Sequence, residues 1–326
     1  MIRLACFCLA AAALSAQQPD FVNARLETHA VTGTLASEFQ QLRTRGSSPM
    51  WVAYSVPMVP GRHGSMCGED SRNRKLLLEG PDTLIVLFRL DQHAVERVRT
   101  ATPDCEIDAG GLPVVLLTGV IPAQSVELLA GLVSASTAKG HLDPLVSAIA
   151  LHRDAAADRA MESLLASSQP ESAREKALFW MAAARGRSGF EAVRKVLQND
   201  PSDRMREKAT FDITLGSEPE AVAALQQSAK SDSSPRVRKQ ALFWLAHKAG
   251  AQEIAFIANA AQQDPDPEVR RHAVFALEQV PQGKGIPEMI RLAKTSSDPK
   301  VKQQAVFWLG RSKDPQALHF FEDVLK

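Results

Sequence analysis

The sequence predicts a mainly α chain: a C-terminal α-solenoid of stacked helix pairs preceded by a small α+β domain. Three observations carry this. Five four-residue blocks line up, Ala177-Leu178-Phe179-Trp180, Ala209-Thr210-Phe211-Asp212, Ala241-Leu242-Phe243-Trp244, Ala273-Val274-Phe275-Ala276 and Ala305-Val306-Phe307-Trp308, so the alanines step by a fixed period of 32. A constant period in this range marks units that bury their apolar faces against copies of themselves. Each unit also holds two patterns of helical period. Residues 20–138 lack the repeat and instead carry short apolar runs between glycine and proline breakers, as strands do.

In chain order, residues 1–16 read as a secretory signal peptide. Arg3 is the charged start, Leu4 to Leu14 is an unbroken apolar run, and Leu14-Ser15-Ala16 offers small residues for cleavage. The run is too short to span a bilayer. The competing reading is a buried N-terminal helix. The chain is therefore expected in the periplasm or outside the cell, with no integral membrane segment once the signal is removed. Without Arg3, 37 basic residues face 37 acidic ones. A neutral chain has no electrostatic footprint for nucleic acid or anionic lipid, so neither is an expected partner. Cys6 and Cys8 leave with the signal, and the remaining pair, Cys67 and Cys105, is expected as a disulfide in an oxidising compartment.

In the α+β domain, 20–138, Phe21–Val31 alternates loosely and Met50–Val59 reads as a strand. Thr83–Leu90, Val95–Thr100 and Leu112–Val120 read as further strands, with helices over Leu35–Arg43 and Ser125–Leu132. The loop Pro60-Gly61-Arg62-His63-Gly64-Ser65-Met66-Cys67-Gly68 gathers a histidine, a serine and a cysteine. A metal there would need His93, Asp104, Cys105 or Asp108, but paired Cys-x-x-Cys spacing is missing and a disulfide would consume both sulfurs. No Gly-x-Ser-x-Gly elbow supports a nucleophile. The plainer expectation is a Gly-rich loop stapled by Cys67–Cys105, with no metal. Asp104 to Gly110 has carboxylates at alternate positions, but Val115 stands where a calcium loop would close on glutamate, so a turn bearing surface acids is expected.

The solenoid spans 143–326: five clear repeats and one degenerate unit over Leu145–Leu165. In the first helix of a unit Val237, Ala241 and Leu245 share one face. The second helix supplies the columns Phe190/Val222/Ile254/Ile286/Leu318, Val193/Leu225/Ile257/Met289/Phe321 and Leu197/Ala229/Ala261/Ala293/Leu325. Asp200-Pro201, Asp264-Pro265-Asp266-Pro267 and Asp298-Pro299 start first helices, where proline is tolerated. The signature Val269-Arg270-x-x-Ala273-x-x-x-Leu277 resembles the HEAT repeat, in the short form named after phycobilisome lyases. The resemblance implies a fold and is nearly silent on activity, because sites are grafted onto folds. Bilin attachment, which it also implies, sits poorly with export and with repeats that hold no cysteine.

The residues that suggest a site are aromatic. At about 100° per residue Phe243 lies roughly 200° from Ala241, away from the second helix. Phe179, Phe211, Phe243, Phe275 and Phe307 all occupy that position, with Trp180, Trp244 and Trp308 beside them in alternate units. Either the rings pack sideways between adjacent first helices, or they form a partly exposed ladder that binds a protein. A second ladder, Arg174, Arg206, Arg238, Arg270 and Lys302, is expected to pair with Asp200, Asp232 and Asp264 at the turns. The function expected is an exported, non-enzymatic scaffold that binds another protein through the repeat surface and needs no cofactor. The alternative is a periplasmic hydrolase-like enzyme with its site in the N-terminal loop and the repeats presenting substrate.

Overall fold

The computed structural model describes residues 19–45, 47–60, 66–67, 82–135 and 139–325. The expected signal peptide and the loop residues His63 and Ser65 lie outside them. The chain divides into two compact units between Ala157 and Asp158.

The first unit holds β1 (Asp20–Val22), β2 (Arg25–Ala30), α1 (Leu35–Thr44), β3 (Met50–Pro57), β4 (Thr83–Asp91), β5 (Ala94–Ala101), β6 (Glu106–Asp108), β7 (Pro113–Thr118), α2 (Pro122–Ala135) and α3 (Lys139–Leu151). Five strands form one sheet in the order β2-β7-β3-β4-β5. The pairs β3–β4 and β4–β5 are antiparallel, whereas β7 runs parallel to both β2 and β3. Strands β3 and β4 are buried on both faces, which is why they read as continuous apolar runs rather than alternating ones. On one face Phe39 of α1 packs edge-on against Phe88 at 4.9 Å, and Tyr54 lies 6.1 Å from the same ring. On the other, Ala53, Ile85, Leu87 and Ala101 form a cluster with Cys105, Val114 and Leu116, on which Phe21, Trp51 and Ile107 pack.

Two local readings change. The alternation over Phe21–Val31 breaks at Asn23, whose φ of 48° turns the chain into the left-handed region. Its halves join different sheets. Glu106–Asp108, expected as a turn, is instead a strand paired in parallel with β1. Its acids alternate with Cys105, Ile107 and Ala109, which face the core, so the carboxylates that suggested a loop are the solvent side of a strand.

The second unit is a run of helix pairs that follow α4 (Ala155–Leu165). They are α5 (Glu171–Ala184) with α6 (Gly186–Asn199), α7 (Asp203–Asp212) with α8 (Glu220–Ser231), α9 (Pro235–Ala249) with α10 (Ile254–Gln263), α11 (Pro267–Glu278) with α12 (Ile286–Thr295), and α13 (Pro299–Arg311) with α14 (Pro315–Val324). First helices pack on the next first helix, α5 on α7, α7 on α9, α9 on α11 and α11 on α13. The repeated alanines, Ala177, Ala209, Ala241, Ala273 and Ala305, are fully buried. Two helix starts are capped as the aspartates and prolines promise: the Asp266 side chain accepts from the amides of Glu268 and Val269, with Pro267 in the first turn, and Asp298 accepts from that of Lys300, whereas Asp200-Pro201 lies just before α7, which Ser202 caps. In the last unit the column residues Leu318, in α14, and Leu325, just after it, are 64% and 86% exposed, so there the pattern does not mark a buried face.

Candidate functional site

The arginine ladder is structural. Arg206 Nε and Nη2 donate to both oxygens of Asp232, at 2.8 and 3.0 Å, while its Nη1 donates to the Asp200 carbonyl at 2.7 Å. Arg238 does the same with Asp264 and the Asp232 carbonyl. Arg270 pairs with Asp298 and reaches the Asp264 carbonyl, and Arg174 pairs with Asp200. Each guanidinium thus ties the turn of its own unit to the turn of the next. Asp200, Asp232 and Asp264 also accept the amide two residues on, which shapes those turns. Arg206 and Arg238 are held even further toward the charged form by these hydrogen bonds. Charges this buried and paired are committed, so they offer nothing to an outside anion.

The phenylalanines show both expected behaviours at once. Phe179, Phe211, Phe243 and Phe275 are half-buried, as are Trp180, Trp244 and Trp308, while Phe307 is 51% exposed. Rings meet between neighbouring first helices: Phe211 with Trp244 at 4.8 Å, Phe243 stacked on Phe275 at 6.0 Å, and Phe275 with Trp308 at 5.2 Å. The result is a continuous aromatic stripe from α7 to α13 whose rings support each other and keep part of their surface in solvent. The indole N–H groups of Trp244 and Trp308 are buried and meet no acceptor among the described residues.

Three residues of the stripe carry no signal in the repeat. His247 stacks at 4.5 Å on Phe243, and His272 lies 5.3 Å from Phe275. Both could have been found, since four and three residues from a phenylalanine is the same helix face. Burial, with a smaller push from Lys239, drives the His272 ring down to about 4, so it is neutral at pH 7. Asp212 stands at the position of Trp180, Trp244 and Trp308, which a fourth unit fills with Ala276. It is 4% exposed, and burial raises its carboxyl to about 7, against the pull of Lys208 and with help from Glu175.

In the first unit Cys67 and Cys105 are joined to each other, with Asp104 beside them. Sulfurs so joined are not metal ligands. The other acids and histidines weighed for a metal are dispersed: His93 Nδ1 contacts the Arg43 carbonyl, and Asp108 accepts from Asn23 and from the Gly110 amide. A buried polar chain that the sequence did not reveal links Tyr54, Ser125 and His152. Ser125 Oγ lies 2.8 Å from both Tyr54 Oη and His152 Nε2, and His152 Nδ1 donates to the Ala148 carbonyl. All three side chains are shut from solvent, so this serine–histidine contact joins a strand to two helices and has no access to substrate.

Residues 254–326 match the family model for HEAT repeats. Comparison with the curated proteins returns no match. Among solved structures, human deoxyhypusine hydroxylase in complex with glycerol is similar at 16% identity over 61% of this chain and 77% of that one, with a TM-score of 0.27. The complex of CpcE and CpcF of phycocyanin lyase from Nostoc sp. PCC7120 is similar at 17% identity over 57% of this chain and 76% of that one, with a TM-score of 0.32. The matched residues take in α10 to α14, and the helix pairs before them keep the same period of 32.

Proposed function

We propose that this chain is an exported, non-enzymatic scaffold that binds a partner protein through the aromatic stripe of its HEAT-like repeats. The observation that carries the reading is the run Phe211, Trp244, Phe243, Phe275, Trp308 and Phe307, contiguous through ring contacts and partly exposed along its length. Aromatic side chains held rigid by their neighbours lose little entropy on binding and bring a large apolar area, the character of an interface centre. No described helix is long and apolar enough to cross a membrane. Export rests on the N-terminal sequence pattern, and mass spectrometry of the mature chain from its own cells reads the cleavage directly.

The test is capture by the purified mature chain, repeated with Phe243→Ser/Phe275→Ser and with Phe307→Ser. A partner held by the wild type and lost from both variants, with melting of Phe307→Ser unchanged, supports the reading. Retention of the same partner by both variants overturns it. The enzymatic alternative is addressed separately with His63→Ala/Ser65→Ala: a hydrolytic activity that survives this pair does not belong to the N-terminal loop.

A further inference from the structure

A cavity of about 800 Å³ opens in the first unit, walled by Phe21, Trp51, Met66, Leu87, Ile107 and the disulfide, with Arg97 and Arg99 along one side. Its size is that of a small-molecule site. Strand register explains how it forms. Arg97, Arg99 and Ala101 alternate along β5 and so share one face of the sheet. Arg99 is paired with Leu87, and Ala101 with Ile85. At the Ala101 end that face is covered: Ala101 and Ile85 are buried in the cluster on which Phe21 of β1 and Ile107 of β6 pack. Towards Arg99 and Arg97 the cover thins, and the half-buried ring of Trp51 borders open volume, with the buried Leu87 behind it.

Among the described residues the charges there are not paired off. Arg89, on the same face, is paired with Glu96 and Asp91. Arg97 and Arg99 are exposed and form no ion pair or hydrogen bond among the described residues. Glu106 and Asp108 border the cavity, but their side chains alternate with that of the core-facing Ile107 and stay exposed, and Asp108 is spent on Asn23 and the Gly110 amide. Two guanidinium forks therefore line a pocket of mixed character that has an indole in its wall. A guanidinium pairs with a carboxylate through two parallel hydrogen bonds, and an apolar wall strengthens that pairing by thinning the water around it.

We propose that this cavity binds a small organic carboxylate with a flat apolar body, the acid held by Arg97 and Arg99 and the body laid against Trp51. The site is separate from the aromatic stripe and does not depend on it.

The experiment is calorimetric titration of the full mature chain with 2-naphthoate and with its uncharged analogue 2-naphthamide. The acid is expected to bind at least about tenfold more tightly than the amide, the scale of one charge-assisted bidentate contact. Arg97→Gln/Arg99→Gln should erase that preference while the amide binds as before, and Arg97→Lys/Arg99→Lys, which keeps the charge and loses the fork, should retain part of it. Phe243→Ser/Phe275→Ser should change neither titration. Equal affinity for acid and amide, no binding of either at millimolar concentration, or full acid affinity in the glutamine pair would each overturn the proposal. Both arginines are exposed, so the variants keep the fold, which far-ultraviolet circular dichroism verifies.

Discussion

Replacing Asp212 by asparagine keeps the shape of the side chain and removes its ability to ionise. In the folded chain burial raises this carboxyl from 3.8 to about 7, so between those values the native state holds a proton that the unfolded state has released. Stability then falls as pH rises, because the unfolded state binds fewer protons. The slope is about 1.4 kcal/mol per pH unit, and over roughly three units the cost reaches about 4 kcal/mol. The difference between Asp212→Asn and wild type should therefore be smallest near pH 4, grow steadily to about pH 7, and stay level above it. Urea unfolding followed by the helical circular dichroism signal at several pH values measures this, with the slope in urea serving as a check that the same transition is compared. A difference independent of pH, or one larger at pH 4 than at pH 8, would refute the reasoning and place water or a counter-charge at the carboxyl.

His272 should behave in the opposite sense. Its depressed value of about 4 means stability is lost as pH falls below 6.5, so His272→Gln should gain on wild type by about 2–3 kcal/mol on going from pH 7 to pH 4, read by the same unfolding series. Arg238→Met should cost about 3–5 kcal/mol because Asp264, 8% exposed, keeps a charge with no cation to pair it; Arg238→Met/Asp264→Asn should recover part of that loss in urea midpoints. Reducing Cys67–Cys105, which closes a sequence separation of 38, should destabilise the first unit by about 4 kcal/mol in the chain-entropy account; faster hydrogen exchange in β4 and β5 is the expected readout.

The repeat architecture is legible in the sequence because one mechanism, alanine at a close helix approach, recurs at a constant step, and each recurrence tests the previous one. The pairing of Arg206 and Arg238 with Asp232 and Asp264 is legible for the same reason: base and acid keep a fixed separation of 26 from unit to unit. What escapes the pattern is whatever occurs once. Glu106–Asp108 is too short to show a period, and only its partner β1 makes it a strand. Tyr54, Ser125 and His152 meet across 71 and 27 residues, a distance no local rule spans. The cavity over Trp51 depends on where the cover of β1 and β6 ends, which is a property of tertiary packing. The stripe falls between these cases, for helical spacing gives the direction of each phenylalanine but not how far the next helix covers it.

The buried ladder and the aromatic stripe are two consequences of one constraint. Because each arginine is fastened both to the carbonyl of its own turn and to the carboxylate of the next, a unit can neither slide nor tilt freely against its neighbour. A phenylalanine at a fixed place in one unit then meets a tryptophan at a fixed place in the next, as Phe211 meets Trp244 and Phe275 meets Trp308. Repeats joined by apolar contact alone could shift by fractions of a turn, since such contact is not directional. Directional ion pairs in the interior are what allow weaker, half-exposed ring contacts to be repeated in register. The interruption at Asp212 is informative for the same reason. The ladder passes it unchanged through Arg206, yet a carboxyl stands where Trp180, Trp244 and Trp308 carry a ring. Aromatic identity is therefore dispensable for stacking at that position, and this separates the residues that hold the array together from those that give it a face.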